Sequence, residues 1–333
     1  MTVRVGLIGA GVMGADHART LATQISGATL HVVCDADATR AKAVAAQWGV
    51  ANTAADPLSV IKRPDVDAIL IASPDATHGE LTMAAIKAGK PVLCEKPLAP
   101  ASAECLRVID AEVRGGKRLV QVGFMRRFDP SYADMKAVLQ SGAVGQPLMF
   151  HCFHRNVSAP PWFTSIMAIT NSAPHEFDIA RWLLEADYKS ISVFRPSGVE
   201  AGKPGAPVFM VAETTKGQLV NIEINNNAAY GYDVRGELVG EKGTVALGSP
   251  ARSEISLNGL QAVNYPEDWR PRFAEAYRLQ LQAWTGSIAT GKPVGASAWD
   301  GYAAALVAEA GVAALAGRAA VAVAAIHKPE FYG

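Results

Sequence analysis

Short apolar runs alternate with amphipathic segments along the first 123 residues of the chain. The runs, at 3–8, 30–34, 68–72, 91–94 and 119–122, are rich in β-branched residues and show little polar alternation. Such runs are typical of parallel strands that are covered on both faces. Between them, helical periodicity marks 14–23, 38–48, 79–88 and 102–114, the last two ending at glycines. The repeated strand–helix–strand pattern predicts a doubly wound parallel sheet in a domain of residues 1–123.

The pattern changes after residue 123. A helix follows the Phe128-Asp129-Pro130 breaker, and a long strand at 148–155 and a helix near His175 come next. From 190 to 257, β segments are separated by glycine-containing turns, and two helices at 272–290 and 299–317 close the chain. Strands joined by tight turns predict an open, mostly antiparallel sheet. Residues 124–333 are therefore expected to form an α+β domain, whose alanine-rich last helix packs closely through its small side chains.

The composition excludes several classes of protein. The 333 residues carry 31 Lys and Arg against 31 Asp and Glu, and a neutral chain has no electrostatic footprint for nucleic acid or a membrane surface. No apolar stretch approaches the roughly 20 residues of a membrane span, and the first strand begins without a signal peptide ahead of it. Cys34, Cys94, Cys105 and Cys152 have no C-x-x-C spacing. Reduced core thiols in a cytoplasmic protein are expected.

Residues Gly9-Ala10-Gly11-Val12-Met13-Gly14 form a G-x-G-x-x-G sequence between the first strand and the first helix. In a dinucleotide-binding fold, Gly9 permits the tight turn, Gly11 lets the backbone approach a pyrophosphate, and Gly14 allows close helix–strand packing. Asp35 ends the second strand about 20 residues later, where the fingerprint requires an acid for the adenosine ribose. Together these residues predict a Rossmann domain. The alternative is a structural turn, with Asp35 as a helix cap.

Asp35 also bears on the choice of coenzyme. A carboxylate accepts hydrogen bonds from both ribose hydroxyls and repels a 2′-phosphate, and no arginine follows before Arg40. NAD is therefore predicted over NADP.

Two loops follow strands at the carboxyl edge of the predicted sheet, where ligands sit in such folds. The first is Ser73-Pro74-Asp75-Ala76-Thr77-His78, in which Ser73, Pro74 and His78 are candidate cofactor contacts. Its alternative role is helix capping by Asp75 or Thr77. The second is Glu95-Lys96-Pro97, in which Glu95 and Lys96 are candidate cofactor contacts. Lys96 can also donate to a substrate hydroxyl and lower its pKa; the alternative is a solvent-facing lysine.

A histidine stands at the start of a predicted helix, in Asn171-Ser172-Ala173-Pro174-His175-Glu176-Phe177-Asp178. Pro174 favours a helix that begins at His175, with Ser172 as a candidate cap, and this places Asn171 and His175 at the helix mouth. An imidazole titrates near neutrality and suits the removal of a hydroxyl proton. The alternative is a histidine that serves packing alone.

His151 and His154 lie on the predicted strand 148–155 but do not suggest a metal site. Residues three apart on a strand point to opposite faces, and the sequence offers no third ligand beside them. No metal is expected, because Lys96 suffices to polarise the hydroxyl.

The motifs resemble those of the glucose–fructose oxidoreductase/inositol dehydrogenase/MocA family, and the resemblance runs essentially from end to end. The glycine fingerprint and Glu95-Lys96-Pro97 mark the broad family, and the marks from Tyr230 onward are narrower. The further marks are Gly123-Phe124-Met125-Arg126-Arg127-Phe128-Asp129, His175-Glu176-Phe177-Asp178, Tyr230-Gly231-Tyr232-Asp233, Asp268-Trp269, Arg272-Phe273, Ala276-Tyr277, Trp299-Asp300-Gly301-Tyr302 and Lys328-Pro329-Glu330-Phe331-Tyr332.

The resemblance implies a Rossmann domain, then an α+β domain whose sheet mediates dimers and tetramers, with the nicotinamide beside Lys96. It assigns catalysis to a Lys-Asp-His set that falls on Lys96, position 171 and His175. It also implies a polyol pocket, for which the candidate residues are Lys96, Met125, Arg126, His154, Asn171, Ser172, His175, Asp178 and Tyr232.

Position 171 departs from the family pattern, since the chain has asparagine where the family has aspartate. Asparagine keeps the size and the carbonyl acceptor but loses the negative charge that would stabilise an imidazolium. Three explanations are open: an engineered inactivating substitution, a natural variant with an altered substrate, or a slow enzyme.

The expected activity is NAD-dependent oxidation of a secondary hydroxyl of a cyclic polyol to a ketone, with inositol as the leading substrate. Another sugar or an aminocyclitol is the first alternative, because Asn171 alters the polarity of the pocket. A catalytically impaired NAD-binding sensor is the alternative of another class. A homo-tetramer or homo-dimer is expected, because an open sheet with one uncovered apolar face needs a second subunit. Segments 209–212 and 219–222 would lie in or beside that interface.

Overall fold

The computed structural model describes residues 2–197, 206–248 and 254–333, so parts of the β region predicted at 190–257 lie outside the described residues. The chain forms two compact units: Met1–Phe128 with Ala276–Ala305 and His327–Gly333, and Asp129–Glu275 with Leu306–Ile326. The predicted domain bounds, 1–123 and 124–333, stay a prediction. In the structure, the segment that begins at Ala276 packs within the first unit, since its Leu281 and Trp284 are buried in the apolar core of that unit.

The first unit is built around a six-stranded parallel sheet with strand order β3-β2-β1-β4-β5-β6, which confirms the predicted doubly wound fold. Its strands are β1 (Val3–Ile8), β2 (Ala28–Cys34), β3 (Asn52–Ala54), β4 (Ala68–Ile71), β5 (Val92–Cys94) and β6 (Val120–Val122). The helices between them are α1 (Val12–Gln24), α2 (Ala38–Gln47), α3 (Pro57–Ile61), α4 (His78–Lys87) and α5 (Ser102–Gly115). The sequence does not predict β3 and α3, since both are short and β3 lacks an apolar run.

Apolar side chains cover both faces of the central strands in the first unit. Leu7, Val33, Leu70 and Leu93 on one face and Val32, Ile69 and Val92 on the other are completely buried. Because β1, β4 and β5 are parallel neighbours, their carboxyl ends meet at one edge of the sheet. The glycine fingerprint and the two loops predicted to bind the cofactor all begin at that edge.

The second unit contains a seven-stranded sheet with strand order β12-β11-β7-β10-β9-β8-β15. Its strands are β7 (Pro147–Arg155), β8 (Tyr188–Phe194), β9 (Val208–Thr214), β10 (Leu219–Asn225), β11 (Asp233–Gly240), β12 (Thr244–Ala246) and β15 (Val321–Ala322), and β13 (Glu254–Leu257) and β14 (Leu260–Val263) form a separate hairpin. The remaining helices are α6 (Pro130–Gln140), α7 (Ser165–Met167), α8 (Pro174–Leu184), α9 (Arg270–Thr290) and α10 (Ala298–Gly317). β7 and β10 pair in parallel and the other neighbours are antiparallel, as predicted.

Successive residues on the strands of this sheet face a buried side and an open side in turn. Met210 and Val220 are completely buried, whereas the residues next to them on the open side, Phe209 and Leu219, are 40% and 45% exposed. On α10, a Cβ at Gly311 would lie 2.9 Å from the Ile169 side chain. The small residues of α10 therefore permit close packing, as expected from its composition.

All four cysteines are buried and free of disulfides, in agreement with the prediction of reduced core thiols. Among the described helices, none combines the length and the apolar character that a bilayer crossing requires.

Candidate active site

A cleft of about 770 Å³ opens at the carboxyl ends of β1, β2 and β4 in the first unit. Its volume lies within the roughly 300–1,000 Å³ of small-molecule and cofactor sites. Gly9, Gly11, Asp35, Ser73 and Pro74 line it. These predicted cofactor contacts therefore share one cavity.

The glycine fingerprint excludes side chains at two of its positions. Gly9 has φ +95°, and a Cβ there would overlap the Ala72 carbonyl. A Cβ on Gly14 would overlap the carbonyl oxygen of Gly9. At Gly11 a Cβ would meet nothing within 4 Å, so glycine at this position leaves the backbone open to the cleft.

Helix α1 presents its amino end at the same place. Gly11 is its N-cap residue and offers no side-chain acceptor to the first backbone N–H groups. Val12, the first helical residue, is 64% exposed, and Met13 is half-buried. Backbone donors without a capping side chain, together with the positive end of the helix dipole, form an anion site that suits a pyrophosphate.

The backbone holds the Asp35 carboxylate in the cleft. Its Oδ2 accepts from the Ala10 N–H at 2.8 Å and its Oδ1 accepts from the Asp37 N–H at 2.9 Å. Each oxygen keeps a further lone pair for a ribose hydroxyl. The donors and acceptors of the cleft therefore fit NAD, with the α1 amino end for the pyrophosphate and Asp35 for the adenosine ribose.

Arg40 is a cleft residue that sequence reasoning did not include. Its Nη1 lies 3.5 Å from Asp35 Oδ2, and its Nη2 lies 3.5 Å from Asp37 Oδ2. Asp37 caps α2, and a residue three positions into a helix points back toward the cap. The three-residue spacing between Asp37 and Arg40 was therefore the sequence signal that could have placed Arg40 beside the cap.

Lys96 follows β5, and the side chain of Glu95 fixes its backbone. Glu95 is buried, with Oε1 2.8 Å from His17 Nε2 and Oε2 accepting from the Lys96 N–H at 3.2 Å. Each carboxylate oxygen of Glu95 thus has a partner within the protein, and the predicted contact of Glu95 with the cofactor stays a prediction. Lys96 is half-buried, which differs from the freely solvent-facing alternative.

His78 ties two loops together. It is 1% exposed, with Nδ1 2.7 Å from the Pro97 carbonyl oxygen and Nε2 2.9 Å from the Ser73 carbonyl oxygen. Two acceptors require both ring nitrogens to carry protons. Burial lowers the pKa of His78, but the Cys94 side chain and the two carbonyls outweigh it and raise the pKa to about 10. Both ring nitrogens of His78 thus tie the Ser73 and Pro97 loops together, and its predicted contact with the cofactor stays a prediction.

Met125 and Arg126 begin a 3₁₀ turn, Met125–Phe128, just after β6. They are 2% and 1% exposed. A guanidinium so deeply buried is uncommon and indicates a specific role. Arg127 in the same turn forms an ion pair with Asp300 at 3.0 Å, which fixes the turn and joins two of the sequence motifs.

In the second unit, a π-helical turn at Ala168–Ser172 leads into α8. Asn171 lies in this turn and is half-buried, and His175 is the second residue of α8 and 8% exposed. On a helical path, residues four apart lie one turn apart on the same face. Asn171 and His175 therefore share a face, and π-turns are frequent at functional sites.

Ser172 does not cap α8, contrary to the prediction. Ala173 is the N-cap residue and makes no side-chain cap hydrogen bond. The chain is already helical before α8, and the Ala173 N–H donates to the Ala168 carbonyl. The Ser172 hydroxyl instead donates to Asn226 Oδ1 at 3.3 Å.

A buried carboxylate orients His154 on β7. Its Nδ1 lies 3.1 and 3.2 Å from the two carboxylate oxygens of Glu176, which is completely buried. A charge at such a depth requires a partner of this kind. Asn226 extends the network, since its Oδ1 accepts from Asn156 Nδ2 at 2.5 Å. Sequence reasoning missed Glu176, Asn156 and Asn226 as site residues, although Glu176 lies within a motif it singled out.

The other predicted pocket residues of this unit are also buried. Asp178 on α8 is 2% exposed, and Tyr232 is 4% exposed with its ring edge-on to His154 at 6.2 Å between centroids. His151 lies on the opposite face of β7 from His154, as predicted. Within the described ranges, no group of three or more His, Cys, Asp or Glu is arranged to hold a metal ion.

Each unit thus contributes its own set of groups. The first holds the coenzyme cleft, Lys96, Met125 and Arg126. The second holds Asn171, His154, Ser172, His175, Asp178 and Tyr232. These sets provide an anion site, a ribose acceptor, an ammonium group and an imidazole.

Comparison with known proteins agrees with this inventory. A model described as an oxidoreductase family with an NAD-binding Rossmann fold matches residues 3–124, and the C-terminal alpha/beta domain of the same family matches residues 136–323. Inositol 2-dehydrogenase 1 of Saccharopolyspora erythraea is 51% identical over 336 residues, covering 100% of both chains. Inositol 2-dehydrogenase of Klebsiella pneumoniae strain 342 is 43% identical over 335 residues, covering 100% of this chain and 99% of that protein.

A solved structure is similar over the same extent. Myo-inositol dehydrogenase from Lactobacillus casei, in complex with NAD(H) and myo-inositol, matches with a TM-score of 0.95 and 32% identity, covering 100% of both chains. With family models that span most of its length and a relative half identical from end to end, the chain belongs to the GFO/IDH/MocA family of NAD-binding oxidoreductases.

Proposed function

We propose that the protein is an NAD-dependent dehydrogenase that oxidises a secondary hydroxyl of inositol to a ketone. The observation that carries this proposal is the end-to-end similarity, with a TM-score of 0.95, to a chain solved with NAD(H) and myo-inositol. Relatives named inositol 2-dehydrogenase at 51% and 43% identity support the same substrate class. The presence of Lys96 and His175 supports an active enzyme.

The first unit would hold the coenzyme. The amino end of α1 at Gly11 binds the pyrophosphate, and the Asp35 carboxylate accepts from the adenosine ribose hydroxyls. When bound there, NAD would supply the acceptor for the hydride that leaves the carbon carrying the reacting hydroxyl. Asp35 repels a 2′-phosphate, which favours NAD over NADP.

His175 acts as the general base and Lys96 as the hydrogen-bond donor. Lys96 donates to the substrate hydroxyl oxygen and lowers its pKa, and the imidazole of His175 removes the hydroxyl proton as the carbonyl forms. Asn171 can orient a ring through a hydrogen bond but lacks the charge that would stabilise an imidazolium. The protonated ring of His175 is therefore stabilised less by Asn171 than it would be by an aspartate at this position.

The residues proposed to contact the polyol, as the family resemblance implies, are Met125, Arg126, His154, Ser172, Asp178 and Tyr232. A cyclic polyol presents hydroxyls that donate and accept in turn, and these side chains offer both kinds of group. The Glu176 carboxylate fixes the His154 ring, so His154 presents a defined nitrogen to its ligand.

We also propose a homo-oligomer, a tetramer or a dimer, formed through the open side of the second unit's sheet. Phe209 and Leu219 on that side are exposed, whereas alternate residues of the predicted segments 209–212 and 219–222 belong to the unit's own core. Light scattering tests this proposal, and a stable monomer at micromolar concentration would overturn it. Four buried, free cysteines support a cytoplasmic location.

The substrate is tested by turnover of inositols, hexoses and aminocyclitols with NAD, followed by the absorbance of NADH. Inositol with the highest kcat/KM supports the proposal. Preference for an aminocyclitol or another sugar would mean that Asn171 belongs to a pocket with an altered substrate specificity. No turnover with any of them, combined with tight NAD binding, would favour a sensor.

A further inference from the structure

A buried imidazole–carboxylate pair joins helix α1 to the Lys96 loop in the first unit. His17, the sixth residue of α1, places its Nε2 2.8 Å from Oε1 of Glu95. The two side chains are 1% and 7% exposed. A carboxylate oxygen accepts, so the imidazole is the donor in this hydrogen bond. The proposed dehydrogenase chemistry assigns no step to either group.

The other carboxylate oxygen of Glu95 holds the backbone of Lys96. The Glu95 N–H donates to the Ile71 carbonyl oxygen at 2.9 Å, which continues the pairing of β5 with β4 by one residue. Lys96 is the first residue beyond that pairing, and its N–H donates to Glu95 Oε2 at 3.2 Å. The Glu95 side chain thus supplies an acceptor at the point where the strand pairing ends.

Neighbouring residues leave the pair little room to move. A Cβ on Gly123 would lie 2.7 Å from Glu95 Oε2, so glycine at this position allows the loop after β6 to pack against the carboxylate. The buried ring of Tyr277 meets the His17 ring edge-on, with 5.6 Å between the ring centroids. Groups of the same unit therefore hold both members of the pair.

Stability alone does not account for a buried pair of this kind. Removing a carboxylate from water costs free energy, which a hydrogen-bonding partner only offsets. Replacing both members of such a pair with apolar residues of similar volume is often neutral or stabilising. What the pair adds is a fixed link between the helix whose amino end faces the coenzyme cleft and the residue that precedes Lys96.

We propose that His17 and Glu95 are positioning residues for the reaction. The inference rests on the proposed function, in which the coenzyme pyrophosphate lies at the amino end of α1 and Lys96 donates to the substrate hydroxyl. The pair fixes the Lys96 backbone relative to α1, and it thereby fixes the ammonium group relative to the bound coenzyme. Such placement matters, since a misplacement of about 1 Å can lower a reaction rate about 100-fold.

Two variants of the full-length protein separate positioning from stability. His17→Leu leaves a buried carboxylate without its imidazole donor, whereas His17→Leu/Glu95→Met replaces the whole pair with apolar side chains. The single variant should lose stability in denaturant titrations, and the double variant should regain it, because no buried charge remains. In both, kcat with inositol and NAD should fall about 10- to 100-fold. The KM for inositol and the NAD affinity, measured by calorimetry, should change little.

A conservative variant and a matched control complete the set. His17→Gln keeps a side-chain N–H that can donate to Glu95 Oε1, so it should retain most of the parent kcat. His31→Leu is the control, because His31 Nε2 lies 2.9 Å from Asp65 Oδ2 in the same unit and neither residue lines the coenzyme cleft. This control should leave kcat unchanged.

Hydrogen exchange followed by mass spectrometry measures the link without any turnover. The Lys96 amide hydrogen is bonded to Glu95 Oε2, so exchange in peptides spanning 94–98 reports on this bond. Exchange of that amide should be about tenfold faster or more in His17→Leu and in the double variant, because a hydrogen bond to a charged acceptor is weakened or lost.

Faster exchange, together with a loss of kcat that persists in the double variant, supports the proposal. Recovery of kcat along with stability in the double variant would overturn it, because the pair would then serve stability alone. Unchanged exchange would remove the link to Lys96. A loss of NAD affinity as large as the loss of kcat would make the pair part of coenzyme binding instead. A parent protein without turnover would refute the proposed function, and the exchange rates would then decide on the link by themselves.

Discussion

Replacing Asp35 with alanine should move the coenzyme preference from NAD toward NADP. The carboxylate is fixed by the Ala10 and Asp37 N–H groups, so it cannot turn away from a 2′-phosphate at the adenosine ribose. Arg40 lies 3.5 Å from Asp35 and its side chain is 51% exposed, and it remains in the cleft after the substitution. The change therefore removes a repelling charge and leaves an attracting one.

The size of the effect follows from two contributions. A phosphate carries about −2 charges, and unit charges about 4 Å apart repel by about 1 kcal/mol in a water-like medium, so repulsion amounts to about 2 kcal/mol. NAD also loses a hydrogen bond to a charged acceptor, worth about 1.5 kcal/mol. Together these correspond to a change of about 400-fold in the ratio of kcat/KM for the two coenzymes.

Initial rates with inositol and each coenzyme, followed by the absorbance of the reduced nicotinamide, measure this ratio. Asp35→Asn is the matched control, because it keeps an acceptor oxygen and loses only the charge, and it should change the ratio by about 30-fold. The double variant Asp35→Ala/Arg40→Ala should have an NADP-to-NAD ratio of kcat/KM about fivefold lower than that of Asp35→Ala alone. An unchanged ratio in Asp35→Ala, or a parent enzyme that already prefers NADP, would refute the assignment of Asp35.

The remaining predictions concern catalysis and loop stability. Asn171→Asp should raise kcat about tenfold and move the acid limb of the pH–rate profile to higher pH, because an anion favours the protonated ring of His175; lost activity would make Asn171 a specificity residue. Lys96→Ala and His175→Ala should abolish turnover yet leave NAD affinity, measured by calorimetry, largely unchanged, and strongly weakened NAD binding in both would contradict these roles. His78→Gln should lower the free energy of unfolding by roughly 2–4 kcal/mol below pH 6.5. That loss should fade as the pH rises toward 10, since the folded-state pKa of His78 is about 10 against 6.5; a pH-independent loss in denaturant titrations would argue against a protonated His78.

Features that depend on a few neighbouring residues are predictable from this sequence. Gly9 and Gly14 stand where a Cβ would overlap backbone atoms, and Asp35 follows β2 directly. Each follows from a short spacing rule. The Ser73 and Lys96 loops each follow a parallel strand directly, and the carboxyl ends of parallel strands lie at one edge of the sheet.

Partnerships between distant residues are not predictable in this way. His17 and Glu95 are 78 positions apart, and His154 and Glu176 are 22 apart. One sequence gives no signal for which buried imidazole meets which carboxylate. His78 illustrates the limit, because a histidine in a strand-to-helix loop has the same pattern whether it contacts a ligand or ties two loops together.

Irregular backbone is a second limit. The π-turn at Ala168–Ser172 carries no compositional mark, so the sequence predicts a simple helix start with a serine cap. The strand β3 escapes prediction because it is half-buried, three residues long and without an apolar run. In both places tertiary packing, rather than local propensity, decides the conformation.

The first unit draws on three separate stretches of the chain, and this has a consequence for synthesis on the ribosome. Leu281 and Trp284 belong to the same apolar cluster as Val5 and Val33. Trp284 follows Val122, the end of β6, by 162 residues, which at about 5–20 residues per second takes roughly 8–30 s to translate. For that interval the nascent sheet keeps an apolar surface that its own sequence cannot yet cover. The apolar core of the amino-terminal unit is therefore complete only after Leu281 and Trp284 have emerged from the ribosome.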